Sequence, residues 1–240
     1  MKKFGFTLAE ILVALAIVGM VAAVSIPTMV TENKKKVWAN SLSVAVSDFE
    51  NAMTTYLVKE GESNLQDTKA WSDDYFNKDI SVEKALGKSF KIKKVANKAD
   101  DFYGSNIDVK HLNTKINTSA ESYIVGQAYQ SKSGIVYFIN QLKGQPLIDS
   151  FEDGGKLEQL VAKIGIDING KKGPNRMGRD VFVFFLGADG YLFPYGSKDV
   201  NLYDSNYTLL DETNCSGSVT GNAGQHCAAR LAGNGYKMDY

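Results

Sequence analysis

A chain of 240 residues with 44% hydrophobic and 22% charged side chains holds material for a long helix and one sizeable folded domain, and this composition excludes a disordered chain. Lys plus Arg and Asp plus Glu each total 27, so no global charge demands nucleic acid or acidic lipid as a partner. Residues 1–30 read MKKFG and then FTLAEILVALAIVGMVAAVSIPTMV, and from Phe6 to Val30 only Thr7, Glu10, Ser25 and Thr28 are clearly polar. At ~1.5 Å per residue this run makes roughly 37 Å of helix, enough to cross a ~30 Å hydrocarbon core with some tilt. Glu10 is the anomaly, because a lone carboxylate inside a membrane helix costs about 2.5 kcal/mol or more. A secretory signal cut near Ala23-Val24-Ser25 should have an uncharged core, and a plain anchor leaves the acid unexplained. Cleavage between Gly5 and Phe6 instead creates an amine on Phe6 one helical turn from Glu10, so that a positive and a negative group become available to pair.

Lys2-Lys3-Phe4-Gly5 followed by Phe6-Thr7-Leu8-Ala9-Glu10 resembles the leader and mature start of type IV pilins and of the pseudopilins of type II secretion. The resemblance implies that a prepilin peptidase cuts after Gly5 on the cytoplasmic side and N-methylates Phe6. It implies that Glu10 pairs with the terminal amine of a neighbouring subunit during assembly. Gly19 and Pro27 fall where the family has helix-loosening residues, and the stretch between them is expected to unwind partly in a filament. Residues 1–5 become a cleaved leader, 6–58 a long helix with 6–30 as membrane span and filament core, and 59–240 a globular head. The implied partners are other pilin or pseudopilin subunits, the peptidase and an inner-membrane assembly platform, with nucleic acid added only for a DNA-uptake pilus. Lys2 and Lys3 precede the span and Lys34, Lys35 and Lys36 follow it, so charge leaves orientation open. The resemblance places the amino terminus in the cytoplasm and the head outside, in the periplasm or beyond.

Beyond the span, Val37, Trp38, Leu42, Ala45, Val46, Phe49, Met53, Tyr56 and Leu57 recur at three- and four-residue steps, the pattern of an amphipathic helix continuing to Val58. Lys59 to Asn64 reads as its end and a turn. Residues 65–119 are polar and suggest a connecting region with one or two short helices, one of them starting at Ser81. Lys84, Lys88, Lys91, Lys93, Lys94 and Lys98 form a basic cluster that reads as a solvated face more readily than as a phosphate contact. Strand patterns follow at Tyr123-Ile124-Val125, Ile135–Ile139, Leu160–Ile168 and Val181–Leu186, the last meeting Tyr191-Leu192-Phe193 across Gly187-Ala188-Asp189-Gly190 as a hairpin. The expected class is α+β and pilin-like: a long N-terminal helix, apolar in its first half, packed on an antiparallel sheet, with a disulfide loop near the C-terminus.

Asp167, Asn169, Asn175 and Asp180 punctuate the Gly- and Pro-containing stretch before Val181 and are candidate calcium ligands, since this hard cation takes six to eight oxygens. The EF-hand spacing is absent, and the same residue types build ordinary turns. Cys215 and Cys227 enclose a Ser/Gly/Asn-rich stretch that cannot order itself by core burial, and a disulfide there requires an oxidising compartment. Zinc held by the two cysteines and His226 is the alternative, short of a fourth ligand. The sequence contains no nucleophile elbow, phosphate loop or His-Glu-x-x-His motif, and no catalytic residues are assigned. The expected function is therefore that of a pilus or pseudopilus subunit, not an enzyme. The alternative is a membrane-anchored binding protein or enzyme that does not polymerise.

Overall fold

The computed structural model describes residues 5, 7–69, 71, 82, 86, 89–104, 108–113, 124–141, 160–196, 215–216 and 223–240. The expected leader residues Lys2 and Lys3, the expected mature start Phe6, Ser81, Lys84, Lys88 and Tyr123 lie outside them; of the helix expected from Ser81, Val82 and Leu86 are described, helical and buried. The chain divides into two compact units, Met1–Val37 and Trp38–Tyr240. Helix α1 (Leu8–Glu60) is continuous through Gly19 and Pro27. Proline has no N–H to give to the Ala23 carbonyl four residues earlier; close by, Thr28 Oγ1 donates to Ser25 O at 2.8 Å and Thr31 Oγ1 to Pro27 O at 2.9 Å. From Leu8 to Val30 the large apolar side chains of α1 are exposed.

In the second unit the three- and four-residue spacing of Leu42, Ala45, Val46, Phe49, Met53, Tyr56 and Leu57 becomes a buried stripe, with Ala39 and Ala52 added. Val37, expected on that stripe, is exposed, and Trp38 is partly buried against the core. The stripe faces a six-stranded antiparallel sheet in strict chain order: β1 (Ile92–Ala96), β2 (Gln127–Ser131), β3 (Val136–Gln141), β4 (Leu160–Asp167), β5 (Val181–Gly187) and β6 (Leu192–Pro194). Phe49 is fully buried, its ring 5.4 Å from Phe90 and 5.5 Å from Tyr137, and Tyr137 Oη donates to Ala45 O at 3.2 Å. Burial pushes the Tyr137 hydroxyl well above its ordinary pKa, so it stays a donor.

The opposite face of the sheet is also covered. Helix α2 (Ala99–Tyr103) brings Phe102 and Tyr103 onto Phe138, and Val136, Val181 and Val183 join them in a second core. Every residue of β5 is buried for this reason, and its run Val-Phe-Val-Phe-Phe-Leu-Gly is apolar throughout instead of alternating. The region expected as a helical connection therefore contributes an edge strand as well as a short helix. The expected strand at Ile124-Val125 gives way to one beginning at Gln127. Ile124 instead packs near Gly165, and Gly126 turns the chain at φ +105 where a Cβ would run into the Ile139 carbonyl. The Val181 hairpin forms, closed by Gly190 N–H to Gly187 O at 3.0 Å.

Two outcomes test this packing. Phe49→Ala removes a ring that nothing nearby can replace, and denaturant unfolding of the detergent-solubilised chain should show a loss of about 3–5 kcal/mol. Glu50 is half-buried and accepts the Leu192 N–H at 3.0 Å; burial is the main cause that raises its pKa, with Asp189 adding to it. A raised carboxyl contributes stability that is present below its unfolded pKa and lost as pH rises through the folded one. Glu50→Gln should therefore melt with the wild type at acid pH and about 1–3 °C above it at pH 8.

Candidate functional site

Two places carry the candidate functional residues. At the start of α1, Thr7 and Glu10 form a reciprocal cap: Thr7 N–H and Oγ1 each donate to Glu10 Oε2 at 2.8 Å, and Glu10 N–H reaches Thr7 Oγ1 at 3.3 Å. The carboxylate that looked uncompensated in the sequence thus has donors within its own chain. The signature Thr-x-x-Glu was legible there and Thr7 was not singled out. Oε1 of Glu10 has no hydrogen-bond partner among the described residues. Gly5 sits in open space, with nothing near the position its Cβ would take. Gly19 and Pro27 lie inside the continuous helix, which is long and apolar enough to cross a membrane.

The second place is at the far end of the sequence. Cys215 and Cys227 are disulfide-bonded, which removes them as zinc ligands; the buried His226 beside them lies with its ring 5.4 Å from Tyr195. Helix α3 (Cys227–Gly233) starts at the bridge. Arg230 on it donates from Nη1 to Cys215 O at 3.1 Å and from Nε to Asp239 Oδ1 at 2.8 Å, and Tyr240 Oη donates to Gly178 O at 2.7 Å. Arg230 holds the Asp239 carboxyl below its ordinary pKa. Gly178, at φ +78, accepts the bridge at close range, since a Cβ there would lie 2.5 Å from Cys227 Sγ. Nothing in the spacing of Arg230 or Tyr240 along the chain signalled these contacts.

The bridge therefore packs on the connection between β4 and β5, where Asp167, Asn169, Asn175 and Asp180 all converge. Asp167 accepts the Tyr103 hydroxyl at 2.7 Å and the Asn169 N–H at 3.0 Å. Asp180 accepts the N–H groups of Asn175 at 2.8 Å and Arg176 at 2.7 Å, and Asn169 Nδ2 at 3.3 Å. Burial pushes Asp167 up to about 7 and raises Asp180 also, with the donated hydrogen bonds pulling the other way. The segment 108–113 laces the two loops together, with Lys110 N–H to Asn175 O and Leu112 N–H to Ala223 O. Among the described residues no group of three or more His, Cys, Asp or Glu side chains is placed to hold a metal. Lys91, Lys93 and Lys98 are exposed on and beside the edge strand β1.

A family model described as the prokaryotic N-terminal methylation motif matches residues 1–26. The chain carries a prepilin-type signal. Such a signal is borne by type IV pilin-like and pseudopilin-type proteins, which are processed by prepilin peptidase and assemble with other pilin subunits. No curated protein and no solved structure matches the chain. The signal, the apolar helix behind it and the disulfide fit a membrane-anchored, pilin-like protein.

The disulfide closes the stretch between Cys215 and Cys227. Reduction, or Cys215→Ser with Cys227→Ser, should lower unfolding free energy by about 2–4 kcal/mol in denaturant titrations, as expected for a loop of this length.

Proposed function

We propose that this protein is a structural subunit of a type IV pilus or of a type II secretion pseudopilus, assembled through its N-terminal helix. The observation that carries the reading is the combination at that end. A prepilin-type signal leads into a helix whose apolar side chains are exposed from Leu8 to Val30, with Glu10 as the acid among them. Residues 1–5 are the leader, cut after Gly5, and Phe6 is then N-methylated. Residues 6–30 hold the subunit in the inner membrane and later form the filament core, 6–58 being the long helix and 59–240 the exported domain. The amino terminus faces the cytoplasm. The disulfide supports export of the C-terminal end, because such bridges persist in oxidising compartments.

Assembly on this reading uses Oε1 of Glu10, which has no partner among the described residues. The Thr7 cap occupies Oε2 and fixes the carboxylate at the first turn, leaving Oε1 to accept the Phe6 amine of a neighbour. An assembly platform in the membrane lifts subunits into register, and loosening between Gly19 and Pro27 accompanies packing in the filament. Binding to a surface or to exported protein is the work of the head.

Glu10→Ala separates a filament subunit from an anchor that never polymerises. Membrane fractionation should show the variant inserted like the wild type, while sheared filaments collected by centrifugation should lack it. Assembly at wild-type levels would assign the helix to anchoring alone. In the same cells, Gly5→Leu should leave an unprocessed chain, seen by mass spectrometry as the retained five-residue leader and an unmethylated Phe6.

A further inference from the structure

Helix α1, the residues leading into β1 and the turn joining β2 to β3 leave a groove between them of about 460 Å³, a size typical of small-molecule sites. The space stays open because residues lining it are small, Ala52 on the helix and Ser89 and Ser131 on the strand side. Phe90 completes the apolar part of the lining and is clamped by Phe49 and Tyr137, whose ring centroids lie 5.4 and 5.0 Å from its own. The polar walls are held by bonds of their own. Thr55 Oγ1 donates to Asn51 O at 2.7 Å, Lys59 Nζ to Ser89 Oγ at 2.9 Å and Ser131 N–H to Ile135 O at 2.8 Å, while Ser131 Oγ and Ser133 Oγ share a bond of 2.8 Å. Walls fixed before a ligand arrives lose little freedom on binding it.

Four other lining groups are uncommitted. The side chains of Asp48 and Asn51, one helical turn apart on α1, and of Lys91 and Lys132 on the strand side have no hydrogen bond or ion pair with any described residue. An ionised Asp48 only accepts, a lysine only donates, and Asn51 does both. Acid and ammoniums stand on different elements, so the groove offers acceptors on its helix side and positive donors on its strand side. Asp48 is the one acid in the lining, and Lys59 on Ser89 adds a third ammonium beside the two lysines. The local excess of charge is therefore positive.

This lining selects the ligand by chemistry. Beyond Ala52 and Phe90 it has no apolar side chain, which disfavours a lipid chain or an aromatic compound. Hydroxyls on Thr55, Ser89, Ser131 and Ser133 with the Asn51 amide suit a ligand dense in hydroxyls, and the positive excess suits one that also carries a carboxylate. We propose that the groove binds an acidic sugar, a hexuronate unit of a polysaccharide. Its ring hydroxyls meet Asp48 and Asn51, and its carboxylate meets Lys91 and Lys132. The charge of Asp48 repels the carboxylate from the helix side and so fixes one orientation. The inference rests on the reading of the head as the part that binds a surface and names the ligand for it. Binding by the isolated chain needs no filament, so assembly and sugar recognition can fail separately.

The test titrates the full chain in detergent with digalacturonate, and with maltose as the neutral disaccharide, by ligand-observed NMR. Digalacturonate should bind saturably with Kd of ~10⁻³ M or below, and maltose about fivefold more weakly, the difference expected from two exposed charge pairs. High salt should narrow that gap. Lys91→Ala with Lys132→Ala should bring digalacturonate down to the level of maltose. Asn51→Trp, at an exposed helix position, fills the groove and should abolish binding of both sugars while the melting temperature stays that of the wild type. Absence of saturation by digalacturonate up to about 20 mM in the wild type overturns the proposal. So does equal affinity for maltose, or wild-type affinity in both folded variants. Displacement of digalacturonate by an equal concentration of sodium glutamate reveals a site for charge alone and overturns it as well.

Discussion

One stripe of α1 must find an apolar surface, and in the unit from Trp38 to Tyr240 that requirement organises the rest. Phe49 sits between Phe90 and Tyr137, so the central strand β3 is fixed against the helix by ring contacts and by the Tyr137 hydroxyl on the Ala45 carbonyl. The meander of strands then follows by hairpin-like steps, each pairing antiparallel with its sequence neighbour. A sheet whose central strands carry apolar residues on both sides cannot leave its second face in water. Helix α2 and residues such as Ile124 close it.

The described C-terminal end joins that core through Cys215, Cys227, Ala228, Leu231 and Met238. It is also held by discrete fasteners. The disulfide joins Cys215 to Cys227, Arg230 ties the bridge to the tail, and Tyr240 reaches back to Gly178. All of them converge on the β4–β5 connection, where buried carboxylates and unpaired amide oxygens stand together. A loop rich in Gly, Ser and Asn has little apolar area to bury, so covalent and polar fixings add to what packing provides.

At the other end the physics is local. The Thr7–Glu10 cap shows how an acid can be carried in an apolar helix before any neighbour arrives, because the first turn of a helix offers unpaired N–H groups and a positive dipole end.

The N-terminal signal, the apolar span and the amphipathic stripe from Leu42 to Leu57 were legible in the sequence because each rests on contacts within a few residues of chain. The Val181 hairpin was legible for the same reason, and so was the closure of Cys215 on Cys227, whose short polar loop left few other options. The edge strand Ile92–Ala96 and the strand Gln127–Ser131 were not, since their Lys, Gln and Ser residues carry weak strand preference and pair only because a neighbouring strand is already there. Nor could periodicity show that Val181–Gly187 is buried on both faces, or that Asp167 and Asp180 meet across thirteen residues of chain. Local pattern is set by covalent spacing and was readable in advance. Burial of a charge, the loss of a water partner and the meeting of distant oxygens exist only once the fold has removed the solvent, and the tertiary structure alone decided them.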